Sequence, residues 1–160
     1  MGALPSYRSG AASDQGGRPM RAASAGFALL PHTADVIVAA WAPTATGCIE
    51  QAVRGLVAVF AEVPNHPAMR EIPYACPPDS DTELLIRVLE EVIYLLEVRE
   101  VVVSRANLRL TAAGGLAGAL HAVPLAAVRQ VGPPPKAVTR HGLVFAPDDS
   151  GWQCRITVDV

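Results

Sequence analysis

The sequence predicts an α+β domain: a mixed sheet of about six strands with two helices packed on one face. Three observations predict it. Residues 47–61 and 81–97 carry apolar side chains at helical spacing. Short runs rich in Val, Ile and Ala, bounded by Pro, Gly and Asn, read as strands. Their order is strand, helix, strand, helix and then four strands. A chain of 160 residues fits one domain, and its core must be aliphatic, since 51% of residues are hydrophobic but only 5% aromatic.

Residues 1–25 are rich in Ala, Gly and Ser, with scattered arginines and no apolar period; a disordered tail is expected there, with the folded domain over residues 26–160. Residues 25–42 are mostly apolar, yet Pro31, His32, Thr33 and Asp35 interrupt them. An aspartate in hydrocarbon is costly, so the stretch reads as strand in a soluble protein and not as a membrane span. Residues 35–41 are nearly continuous in apolar side chains, the pattern of a central strand, and Pro43 and Thr44 end it. A helix follows over residues 47–61, with Thr46 as its N-cap and Ile49, Ala52, Val53, Leu56 and Phe60 as its buried face.

Asn65, His66 and Pro67 make a turn, and residues 69–76 form a strand whose Pro73 suits an edge or a bulge. Ser80 and Glu83 have the spacing of a capping box, opening a helix that buries Leu85, Val88, Leu89, Val92, Ile93 and Leu96. Residues 101–103 and 107–112 give one or two strands, residues 113–115 a turn, and residues 116–125 another strand. Three consecutive prolines, Pro133 to Pro135, make a stiff loop, after which residues 136–145 and 152–159 form a hairpin.

Composition narrows the function classes. A formal net charge of -2 argues against wrapping nucleic acid by electrostatics alone. Cys48, Cys76 and Cys154 are odd in number and widely spaced, as reduced thiols in a cytoplasm would be, and no secretory signal is visible. Gly-rich phosphate loops, nucleophile elbows and His-Glu-x-x-His motifs are missing.

The chemistry concentrates in a few residues. Asp159 next to Val160, with the chain ending there, sets two carboxylates close together, and like charges repel unless a cation or strong donors lie between them. Asp35 opens an apolar strand, where it either caps a turn and faces water or meets Asp159 across neighbouring strands. In the second case the pair would share a hard divalent cation, Ca²⁺, Mg²⁺ or Mn²⁺, rather than zinc. Lys136 follows the prolines at a strand start, either simply exposed or placed to hold a phosphate. Glu90 and Glu91 lie beside the buried stripe of the second helix, on a solvated face or a docking surface.

Taken together these segments resemble the archease family, the small proteins that assist RtcB-type RNA ligases. The resemblance runs from about Phe27 to Val160. It rests on His32-Thr33-Ala34-Asp35-Val36, on Ala40-Trp41-Ala42, and on Glu50-Gln51-Ala52. It continues through Leu84-Leu85, Leu89-Glu90-Glu91, Lys136-Ala137-Val138-Thr139 and Val158-Asp159-Val160. It implies a cytoplasmic cofactor without catalysis of its own, which promotes guanylylation of the ligase histidine and repeated turnover in tRNA splicing or RNA repair. RNA would be met only through the ligase, and no membrane is involved. It further implies a divalent cation held by Asp35, Asp159 and Val160. His32, Glu90, Glu91 and Lys136 carry over as partner or phosphate contacts. The chain departs from the family pattern at Arg140, where an aromatic is usual, and in its proline-rich segment over residues 64–78. A small metal-dependent phosphohydrolase and a metal-free chaperone or adaptor are the alternatives.

Overall fold

A computed structural model describes residues 7–8, 24–32, 34–65 and 69–160. The chain runs β1 (Tyr7–Arg8), β2 (Gly26–His32), β3 (Asp35–Ala42), α1 (Ala45–Ala58), β4 (Ala61–Glu62), β5 (Arg70–Cys76) and α2 (Asp81–Arg99). It continues with β6 (Val101–Leu110), β7 (Leu116–Pro124), a 3-10 turn (Leu125–Ala127), β8 (Arg129–Gln130), β9 (Ala137–Asp148) and β10 (Gly151–Asp159). The α+β class is as expected, with two long helices. The strands divide among three sheets instead of forming a single mixed one, in the orders β1-β2-β3-β10-β9, β5-β7-β6 and β4-β8. Every pairing among the described residues is antiparallel. The expected tail falls mostly outside the described residues; within it, Tyr7 and Arg8 pair with Ala28 and Phe27 of β2.

The five-stranded sheet is organised by the alternation of β3. Val38, Ala40 and Ala42 are buried on one face, and α1 lies against them. Gly47 and Gly55 make that approach close. A Cβ on Gly47 would stand 3.1 Å from the Ala42 Cβ, and one on Gly55 would stand 2.6 Å from Val38 Cγ1. Phe27, which pairs with Ala40, lies on the same face of β2. From β10 come Cys154, Ile156 and Val158, also buried. Asp35, Ile37, Ala39 and Trp41 alternate to the other face, as do their β10 partners Asp159, Thr157, Arg155 and Gln153.

Helix α1 starts two residues earlier than the sequence suggests, because Thr44 and not Thr46 caps it. Thr44 holds an extended backbone (φ -125°, ψ 160°) and its Oγ1 accepts from the Gly47 amide at 3.0 Å. Its Glu50 crosses to the three-stranded sheet, where Oε2 accepts from the Leu108 amide at 2.8 Å. Strand β6 is an edge of that sheet, so Glu50 satisfies an amide that no neighbouring strand reaches. Burial pushes the Glu50 carboxyl above its usual range, and the Leu108 amide partly offsets this.

Helix α2 begins at Ser80 as expected, with Ser80 Oγ accepting from the Glu83 amide at 3.3 Å. The reciprocal half of the capping box is not made. The Ser80 amide donates to Asp79 Oδ1 at 2.8 Å instead, and the Glu83 carboxylate takes both arms of Arg140 on β9, at 2.8 and 3.0 Å. A capping residue has thus become a tie between helix and sheet. The six expected apolar positions of α2 are all buried, joined by Leu84, Ile86 and Leu95. The wider stripe suits a helix enclosed by both β6 and β9. Each full burial of such a side chain contributes roughly 1.5–3 kcal/mol.

Pro73 lies on β5, which is an edge strand as expected. The interruption expected after Val103 proves to be a bulge at Ser104 within one continuous strand, β6. A larger irregularity sits in β9, where the register passes from Thr139 opposite Thr157 to Val144 opposite Arg155, with Gly142 at φ 68°. Among the described residues no helix is long and apolar enough to cross a membrane.

Gly55→Ala tests the docking of α1. Helix propensity favours alanine by about 1 kcal/mol, but a methyl 2.6 Å from the β-branched, buried Val38 overpacks the core, at about 1–3 kcal/mol. The expected outcome is a lower midpoint in urea unfolding; a higher midpoint contradicts the close approach.

Candidate metal centre

The end of the five-stranded sheet gathers the residues singled out from the sequence. Asp35 is the first residue of β3 and Asp159 the last of β10, and the register sets them directly opposite each other. Residues so paired present their side chains on one face, with Cβ atoms about 4.5–5.5 Å apart. Across β2, His32 pairs with Asp35; across β9, Ala137 pairs with Asp159. The Lys136 amide donates to the Asp159 carbonyl at 2.8 Å, so the residue after the prolines is tied to the same row.

Asp35 is half-buried, Asp159 and Lys136 are exposed, and Val160 is partly buried against the core. Val160 therefore anchors the end of β10 through its side chain. Thr33 lies outside the described residues. The row occupies the face of β3 turned away from α1, so both carboxylates are open to solvent on one side.

The acidic pair of α2 diverges. Glu90 acts electrostatically on Arg140 of β9, whereas Glu91 acts on Tyr74 of β5. Among the described residues no ion pair joins either glutamate to Lys136. The structure thus brings Asp35, Asp159, Lys136 and the backbone of His32 together and leaves Glu90 and Glu91 on the helix. Sequence reading missed the role of Arg140. Its bidentate bond holds the Glu83 carboxyl below the ordinary range and fixes the irregular part of β9 against α2.

Chemically, two aspartates on one edge are acceptors of oxygen type. Among the described residues no three His, Cys, Asp or Glu side chains cluster as a metal cage. A cation here would take the two carboxylates and complete its shell from main-chain and water oxygens, which suits Ca²⁺, Mg²⁺ or Mn²⁺ and not zinc. Cys48 is no nucleophile. A hydrogen bond with Cys154, then burial, pushes its thiol far above the usual range, and it donates to the Ala40 carbonyl at 3.5 Å. All three cysteines are free.

Comparison with known proteins gives a consistent result. Residues 27–160 match the model of the archease protein family. The "Probable protein archease" of Mycobacterium tuberculosis is 40% identical over 147 residues, spanning 91% of this chain and 80% of the relative. Protein 1598 of Methanobacterium thermoautotrophicum, known from a solution structure, superposes with a TM-score of 0.64 at 19% identity, covering 84% of this chain and 99% of that one. A crystal structure of an archease, described as a possible chaperone, from Thermotoga maritima superposes with a TM-score of 0.58 at 16% identity. It covers 82% of this chain and 94% of that one. At such identities the two structures speak for the fold.

Like charges directly opposite in a sheet destabilise it by about 0.2–1 kcal/mol. In chelator-treated protein, Asp159→Asn is expected to raise the melting temperature slightly. A lowered melting temperature shows instead that the carboxylates are held by donors within the chain.

Proposed function

The chain belongs to the archease family, and from that premise we propose that it is a cytoplasmic protein cofactor of an RtcB-type RNA ligase. In this reading it promotes guanylylation of the ligase's active-site histidine and so its repeated turnover in tRNA splicing or RNA repair. It catalyses nothing alone and meets RNA only through the ligase. One observation carries the proposal: the pairing of Asp35 with Asp159 at the open end of the sheet.

Two exposed carboxylates repel a nucleoside triphosphate, so a bare tip would oppose the loading step. Asp35, Asp159 and oxygen atoms of Val160 would hold the divalent cation, which when bound supplies positive charge to offset that repulsion. Lys136, tied by its amide to Asp159, adds a cation beside the same row. The bonding of β10 between β3 and β9 keeps the tip rigid, so docking orders few groups anew. The part proposed to meet the ligase is the tip itself, where β3 begins and β10 ends.

One observation favours a second reading, a metal-free adaptor: the tip offers two acidic side chains rather than three. The same assay separates the two. The ligase is incubated with GTP and Mn²⁺, and the guanylylated fraction is followed with and without this protein. Stimulation is expected with the wild type and should fall at least about tenfold in Asp35→Ala and in Asp159→Ala, with unchanged circular dichroism. Full stimulation by both variants sinks the metal tip and leaves the adaptor.

A further inference from the structure

On the side of β3 opposite to the carboxylate row, α1 packs against both β2 and the edge strand β6, leaving a seam between them. The seam opens into a cleft of about 660 Å³, whose lining includes the apolar Phe27, Val57 and Val131 and the polar Gln51 and Arg54. A second cavity of about 280 Å³ also includes Gln51 and Arg54 and adds Arg105, Asn107 and Glu50. Gln51 and Arg54 therefore stand where the two spaces adjoin. The larger is within the size range of small-molecule sites.

The charges in these spaces are unbalanced. Glu62, the carboxylate lining the larger cleft, is taken by Arg129 at 2.6 Å. Glu50, in the smaller cavity, is turned to the Leu108 amide at 2.8 Å. Arg54 and Arg105 are exposed and make no ion pair among the described residues. A lone surface arginine would carry no meaning. Here two arginines from different elements line one concavity whose acids are already engaged, with the amides Gln51 and Asn107 beside them.

We infer that this seam is a binding site for a phosphorylated ligand, with Arg54 and Arg105 on its phosphate and Phe27, Val57 and Val131 against its less polar body. Phosphate fits better than carboxylate. A carboxylate presents a single two-oxygen edge to a guanidinium fork, whereas a phosphate presents several such edges and suits two forks that approach from different elements. Arg54 comes from a helix and Arg105 follows the Ser104 bulge in β6. That bulge re-aims the strand next to the cavity, a common use of bulges beside sites. The ligand is a free mononucleotide, whose size suits the cleft. The site is independent of the Asp35–Asp159 tip, so its failure leaves the proposed function untouched.

Isothermal titration of the full chain with inorganic pyrophosphate, AMP and an eight-nucleotide oligouridylate, at low and moderate salt, tests the inference. AMP is expected to bind. Its affinity should fall about tenfold or more in both Arg54→Gln and Arg105→Gln and stay within about twofold in Arg99→Gln, at the far end of α2. Arg54→Lys, which keeps the charge and loses the fork, should fall between, and it replaces Arg54→Gln if that variant melts below the assay temperature. Binding of AMP supports the inference; binding of the oligonucleotide alone assigns the seam to a strand backbone and overturns it. No binding by any probe, or binding that fails to weaken at both arginines, overturns the inference.

Discussion

The register of β10 against β3 is the constraint on which the other features rest. Side chains alternate across a strand, so a slip of one residue would turn Cys154, Ile156 and Val158 out of the core. In the observed register these three lie with Val38 and Ala40 on the face that receives α1. The same register carries Asp159 to Asp35 at the other end of the ladder and on the other face. Core and tip are therefore set by one decision. Burial of the aliphatic face supplies the free energy that holds two like charges in adjacent positions.

Around that ladder the two helices do different work. Helix α1 joins the sheets: Gly55 lets it close on Val38, and Glu50 reaches the free edge of β6. Helix α2 fills the space between β6 and β9 with nine buried apolar residues and binds the irregular stretch of β9 through Glu83 and Arg140. That pair is exposed and contributes little to stability by itself. Its value is geometric, since it ties the irregular stretch of β9 to the helix.

Much of this was legible in the residues. The start of α2 was, because Ser80 and a long 3.6-period stripe point to the same helix, although it runs two residues past the expected end. The meeting of Asp35 and Asp159 was open to inference as well, because Asp35 opens an apolar strand and Asp159 closes an alternating one. Other features depend on tertiary context. Nothing in a period of two says which strands share a sheet, so the division of β5, β6 and β7 from β3 and β10 stayed hidden. Two threonines near the start of α1 have equal capping chemistry, and the path of the chain after Pro43 chose Thr44. Glu83 had the spacing for a capping box, but the arginine that claims it lies on a strand far along the sequence. Arg54 and Arg105 are likewise remote in sequence, and only packing of α1 against β6 brings them to one cavity.

We propose that this ladder ends in a carboxylate pair that holds a hard cation. Titration of substoichiometric Mn²⁺ into isotope-labelled protein, followed through amide resonances, tests it most directly. Paramagnetic broadening should appear first at Asp35, Asp159 and Val160 and next at Lys136, and excess Ca²⁺ should reverse it. Broadening centred elsewhere, or none beyond that of a uniform bulk effect, would contradict the claim.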